Sequence, residues 1–169
     1  MVIAKGKRVY LRKANLNDTG FMLQLLNQKS FIDNIRDKNI KTHREAQEHI
    51  EHAYLIPYQI GLPAPYIVAQ ASSGQSVGVC GLYQRNFLRY PDVGYAFLDH
   101  FTGKGYAAEA VMALIEYVKL HESYQCLSAI TLESNTASIN VLKRTGFTSC
   151  GAIIIDQDHK PVVVFERNL

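Results

Sequence analysis

The chain has 169 residues, 47% of them hydrophobic and 20% charged, and a formal net charge of +3; it has the material for a globular core and not the composition of a disordered segment. Its cations are scattered rather than gathered in a run of five or six, so nothing marks a nucleic-acid footprint, and no apolar run approaches the length of a membrane span. Its three cysteines, Cys80, Cys126 and Cys150, form no CxxC pair, and their odd number argues against a disulfide framework and suits a reducing cytoplasm.

The start, Met1-Val2-Ile3-Ala4-Lys5, is not the apolar core of a signal peptide. Lys7 to Lys13 alternates Val9 and Leu11 with Arg8, Tyr10 and Arg12, which predicts a first strand. Asn15 to Lys29 is expected to be helical, capped by Asn15 or Asn17, with Phe21, Met22, Leu25 and Leu26 at helical spacing. A polar-rich helix is expected from Thr42 to about Tyr54, after which Pro57, Gly61, Pro63 and Pro65 break the chain into a loop. Pro65 to Ala71 and Val77 to Arg85 form a hairpin about Ser72-Ser73-Gly74-Gln75, and a turn at Arg89-Tyr90-Pro91-Asp92 leads into a strand from Val93 to Leu98.

The period then changes. From Gly105 to His121, Val111, Leu114, Ile115 and Val118 fall on one helical stripe. Leu127 to Leu132 is a short apolar strand, in which Cys126 nearby and Cys80 earlier read as small buried apolar residues. Asn135 to Thr145 is a helix closed by Gly146. Phe147 to Ile155 and Val162 to Arg167 flank the polar turn Asp156-Gln157-Asp158-His159 as a last hairpin. Several hairpins with one βαβ-like crossover predict an α+β fold, a mixed sheet with packed helices, as a single domain over residues 1–169.

Two segments carry chemistry. In Leu98-Asp99-His100-Phe101-Thr102-Gly103-Lys104-Gly105-Tyr106-Ala107-Ala108-Glu109-Ala110 a strand ends, two glycines open the backbone and a helix begins. The first turn of a helix has N–H groups without internal partners and a positive dipole end, and glycines let that backbone approach a phosphate. A tight strand-to-helix turn would use the same glycines. No GxxxxGK[ST] is present, and the third glycine of a dinucleotide fingerprint is missing. The second segment runs Glu133-Ser134-Asn135-Thr136-Ala137-Ser138 to Lys143-Arg144-Thr145-Gly146-Phe147. Asn135 and Gly146 suit helix capping, and Ser138 lies in the first turn.

Together, and in this order, the two segments resemble the GCN5-related N-acetyltransferase (GNAT) superfamily, and within it the branch of ribosomal-protein N-terminal acetyltransferases of RimJ/RimL type. Val9-Tyr10-Leu11-Arg12, Val77-Gly78-Val79-Cys80-Gly81-Leu82 and Asp92-Val93-Gly94-Tyr95 are similar to segments of that branch, so the likeness covers nearly the whole chain. It implies a mixed, mostly antiparallel sheet of about six to seven strands with helices on both faces and a splayed central strand pair. It also implies acetyl-CoA as co-substrate, no metal, and no nucleic-acid or membrane partner. The family's pyrophosphate loop, Gln/Arg-x-x-Gly-x-Gly/Ala, falls on Thr102, Gly105 and Ala107, so that the amides of Gly103, Lys104, Gly105, Tyr106 and Ala107 would hold the diphosphate. Thr102 departs from the usual Gln or Arg. Phe97 and Leu98 would pair with the pantetheine arm as with an added strand, Asn135 would contact CoA, and Ser138 would sit near the sulfur.

The reaction implied is direct attack of a neutral primary amine on the thioester in a ternary complex, the acceptor being a protein N-terminus or a small molecule; a homodimer is compatible with it. Many relatives place a tyrosine acid where this chain has Leu142, which leaves Ser138 as the candidate proton donor. Glu133 is the candidate base, weighed against Asp92, whose place after Pro91 suits a turn. Glu109 is expected to face away from the phosphate loop. Glu45, His49 and His52 could share a helix face, but a metal site is not expected there. Tyr54, Tyr58 and Tyr66 either line an acceptor groove or pack. The alternative to an enzyme is a non-catalytic CoA-binding or sensing module of the same fold, and after it an unrelated phosphate binder.

Overall fold

The structure is a computed structural model that describes residues 1–155 and 161–169. The expected turn from Asp156 to His159 lies outside the described residues. In chain order the elements are β1 (Val2–Lys5), β2 (Val9–Arg12), α1 (Thr19–Asn27), α2 (Lys29–Asn34), α3 (His43–Ile50), α4 (Ile56–Ile60), β3 (Pro65–Gln70), β4 (Ser76–Tyr83), β5 (Asp92–Phe97), α5 (Tyr106–His121), β6 (Cys126–Leu132), α6 (Thr136–Arg144), β7 (Thr148–Ile154) and β8 (Pro161–Asn168).

The strands form one eight-stranded sheet in the order β1-β2-β3-β4-β5-β6-β8-β7. The fold class is the expected α+β, with more strands than the six to seven expected. The difference lies at the start of the chain: β1 pairs antiparallel with β2 about a turn closed by the Gly6 N–H on the Val9 carbonyl at 2.8 Å, and four residues are too few to show an alternation. Two helical details also differ. The chain turns again after Gln28 into α2, and α3 runs through a π-helical turn, Glu51–Leu55, into α4. Pro57 does not end the helix, because it falls in the first turn of α4, where its missing N–H removes no helical bond. Gly61, at φ +71°, stops the chain instead.

Every strand pair is antiparallel except β5 with β6. Those two run parallel and pair only at Asp92 and Ser128, where the Ser128 N–H donates to the Pro91 carbonyl at 2.9 Å. Beyond that rung they part toward Phe97 and Leu132, which is the expected splay. β4 is buried at every position from Val77 to Leu82, so helices cover both faces of the sheet. α5 lies across β1, β2, β4 and β5 and buries Val111, Leu114, Ile115 and Val118, the stripe read from its periodicity. Each such side chain contributes about 1.5–3 kcal/mol of burial. With Leu11, Ile67, Leu127 and Phe165 they form the core that holds the parted strands in place.

Candidate active site

The gap between β5 and β6 opens into a cleft of about 1430 Å³. Its walls are the end of β5, the starts of α5 and α6, and the segment from α2 to Lys38. At the start of α5, Gly103 and Gly105 have φ of +72° and +82°, a region costly to residues with a Cβ. A Cβ on Gly103 would point into open space, whereas one on Gly105 would lie 3.3 Å from Arg8 Nη2. Among the described residues, the N–H groups of Gly103, Lys104, Gly105, Tyr106, Ala107 and Ala108 have no acceptor; that of Glu109, on the Gly105 carbonyl, is the first to be bonded. These groups crown the positive end of a 16-residue helix, and Thr102, Gly103, Gly105, Tyr106 and Ala107 line the cleft. The Thr102 hydroxyl is turned inward onto the Asp99 carbonyl at 2.7 Å. The Lys104 ammonium lies over the Phe101 ring and does not line the cleft.

Glu109 faces away from the open side of this loop, as expected, and its carboxylate reaches back to β2. It accepts from the backbone N–H groups of Arg8 and Val9 and from Arg8 Nε, the last at 2.8 Å. Burial pushes this carboxyl up, but those donors outweigh it and hold it below the usual carboxylate range. Arg8 also donates to the Lys104 carbonyl at 3.0 Å and lies over the Tyr106 ring, so a cation that the sequence reading left in a strand stands beside the loop.

On the facing wall, Asn135 is the N-cap of α6, its Oδ1 accepting from the Ser138 N–H at 3.1 Å. Ser138 Oγ lies 2.9 Å from the hydroxyl of Tyr95 on β5, and that hydroxyl also donates to the Ser138 carbonyl. Burial pushes the Tyr95 phenol well up, against the hydrogen bond from Ser138, and keeps it protonated at neutral pH. The sequence reading missed Tyr95 as a site residue. Leu142 is buried in the core.

Besides Lys104, two expected site residues are absent from the cleft lining. Leu98 is 2% exposed; its N–H donates to the Val77 carbonyl and its carbonyl accepts from Phe101, so neither group is free for a ligand. Because Leu98 turns its N–H toward β4, Phe97 turns its own backbone the other way, into the gap. Phe97 does line the cleft. Glu133 is exposed past the end of β6 and lies outside the cleft lining, its backbone N–H paired toward β8 on Pro161. Of the two carboxylates weighed as base, it is Asp92 that lines the cleft, 1% exposed, with both oxygens within 3.0 Å of Arg85 Nε. Burial raises its carboxyl, and Arg85 only partly offsets this.

His49 also lines the cleft. Burial and then the nearby Lys38 lower its pKa to about 4, so the imidazole is neutral at neutral pH. His52 instead holds the Glu48 carbonyl with Nδ1 at 2.7 Å. Tyr54 lines the cleft, whereas Tyr58 and Tyr66 stack on each other at 5.6 Å, the packing role. The cleft thus offers an amide cradle for an anion, a strand edge for an amide-bearing arm, and a hydroxyl pair between them. These groups fit the parts of coenzyme A.

The profile of the acetyltransferase (GNAT) domain matches residues 8–148. YkkB, an uncharacterized protein of Bacillus subtilis (strain 168), is 28% identical over 104 residues, 60% of this chain and 59% of that protein, so the match spans less than two thirds of this curated relative. Among solved structures, the ribosomal L7/L12 alpha-N-protein acetyltransferase RimL in complex with coenzyme A superposes with a TM-score of 0.87 at 18% identity, covering 100% of this chain and 98% of that one. The microcin C7 self-immunity acetyltransferase MccE, in complex with acetyl-CoA and AMP, gives 0.83 at 17% identity over 96% and 93%. The ribosomal-protein-S5-alanine acetyltransferase of Vibrio fischeri gives 0.76 at 15% over 99% and 96%. At such identities the likeness speaks to the fold.

Proposed function

The chain belongs to the GNAT acetyltransferase family, and from that membership we propose that it transfers an acetyl group from acetyl-CoA to a primary amine by direct attack in a ternary complex, as one domain over residues 1–169. The observation that carries this reading is the row of free N–H groups from Gly103 to Ala108, which suits the diphosphate of coenzyme A. Phe97 offers the pantetheine arm a strand edge, and Asn135 and Ser138 face it from α6.

Acetyl-CoA supplies a thioester carbonyl carbon. The amine nitrogen bonds to it, the carbon–sulfur bond breaks, and the electron pair leaves on sulfur. Ser138 protonates the departing thiolate and is resupplied by the phenol of Tyr95, 2.9 Å away, as that hydroxyl turns its proton from the Ser138 carbonyl to the Ser138 oxygen. Asp92 takes the proton that the amine loses, in place of Glu133, since it lines the cleft where Glu133 does not, and its burial raises the carboxyl. The first acceptors to test are protein N-termini, because two structural neighbours are named for acting on ribosomal proteins. The free thiols of Cys80, Cys126 and Cys150 suit work in the cytoplasm.

The test is release of free CoA from acetyl-CoA by purified protein across a panel of peptides and small amines. Amine-dependent release is expected. Binding of CoA with no release would favour a sensing module, the reading to which Leu142 points. Absence of both release and CoA binding would remove the assignment.

A further inference from the structure

Gln28 stands between α1 and α2 in extended conformation, at φ −73° and ψ 148°, in the position that should cap the start of α2. Its side chain makes no capping bond there. It crosses instead to the end of β5, where Nε2 donates to the Phe97 carbonyl at 2.7 Å and Oε1 accepts from the Asp99 N–H at 3.1 Å. A partner that donates to one carbonyl and accepts from the N–H two residues on is what a neighbouring parallel strand supplies. Gln28 reproduces that pattern with a single amide.

These backbone groups face the gap between β5 and β6, where no strand pairs beyond Asp92 and Ser128. Bare strand edges attract other strands. Gln28 satisfies this one without drawing β6 across. On the reading given above, the pantetheine arm, which carries two amides, uses the same edge. One carbonyl and one N–H cannot be fully bonded to both partners. We propose that Gln28 is an internal stand-in for the pantetheine arm, which closes the slot edge in the free protein and is displaced when acetyl-CoA enters.

This makes Gln28 a positioning residue, and it connects the cofactor slot to α2. The hydroxyl of Ser30 holds the Asp99 side chain, so two successive contacts moor α2 to the end of β5. Asp33 and Asn34, farther along α2, line the same cleft. Displacing Gln28 removes one of the two moorings and leaves α2 free to adjust.

The experiment compares CoA with 3′-phospho-ADP, the part of CoA that has the diphosphate and lacks the arm, by calorimetric titration of wild type, Gln28→Ala and Gln28→Glu. Removing an internal competitor raises the competent fraction, so Gln28→Ala should bind CoA about tenfold tighter, the order expected for two net hydrogen bonds. 3′-phospho-ADP should bind wild type and variant alike. Gln28→Glu cannot donate to Phe97 and should also bind CoA more tightly; it serves where the alanine variant fails to fold. Unchanged or weaker CoA binding by a folded variant, or equal shifts for both ligands, would overturn the proposal. Should wild type bind neither ligand, the coenzyme A reading itself fails and takes this one with it.

Discussion

The Tyr95 hydroxyl meets Ser138 twice, at its side-chain oxygen and at its carbonyl, at 2.9 and 3.1 Å, and so bridges the parted strands from β5 to the first turn of α6. If the pair hands a proton to the thiolate, Ser138→Ala should lower kcat roughly a hundredfold with little change in CoA affinity. Tyr95→Phe should cost less, and the double variant should be no slower than Ser138→Ala, since groups acting in series are not additive. Steady-state rates with direct CoA titration check this, and an unaltered kcat for Ser138→Ala would remove the pair from the mechanism.

Gly105→Val tests the amide cradle. At φ +82° a β-branched residue bears strain of about 1–2 kcal/mol, and its Cβ would crowd Arg8 Nη2 at 3.3 Å. CoA affinity should fall about tenfold or more as the first N–H groups turn aside. The fold should survive, because the buried stripe of α5 is untouched. Calorimetry and a thermal melt separate the two effects.

Glu109→Gln probes the strut between β2 and the loop. The folded carboxyl lies below its ordinary value of 4.5, so its stabilisation is complete above that pH and is lost as pH falls through the folded value. Wild type should therefore lose more stability than Glu109→Gln as pH drops below about 4.5. At neutral pH the variant should be the less stable, with a weaker hold on CoA because Arg8 loses its partner. Urea melts across the acid range give the answer, and parallel curves would count against the strut.

His49 should impose a second pH dependence. Its folded pKa of about 4 lies below the ordinary 6.5, so the unfolded chain takes up a proton that the folded chain refuses. Stability contributed by the neutral ring is full above about 6.5 and declines as pH falls toward about 4. His49→Gln should flatten that part of the profile. A slope equal to that of wild type would place the imidazole in water.

What could be read in the sequence was local. The buried face of α5, the cap at Asn135, the close at Gly146 and the two glycines before Tyr106 each rest on neighbours a few residues apart, and all four stand where the pattern put them. The splay came with the family resemblance. What escaped depended on distant partners. Arg8 meets Glu109 across 101 residues, Gln28 meets Phe97 across 69, and Tyr95 meets Ser138 across 43. The placement of Glu133 and Asp92 relative to the cleft escaped for a related reason. A strand end beside a slot looks like a site in one dimension, but β6 diverges at Glu133 and leaves it in solvent, while the rung at Asp92 keeps that residue inside. Pro57 was read as a breaker because its tolerance in a first turn depends on the π-helical turn before it.

A sheet stitched by one rung at Asp92 and Ser128 is mechanically two leaves, β1 to β5 and β6 to β8, sharing a hinge. Whatever lodges between them serves as a splint as well as a reactant. Each catalytic cycle would then stiffen the molecule on loading and slacken it on discharge, so that resilience to heat or proteases would follow how well the cell keeps the protein supplied.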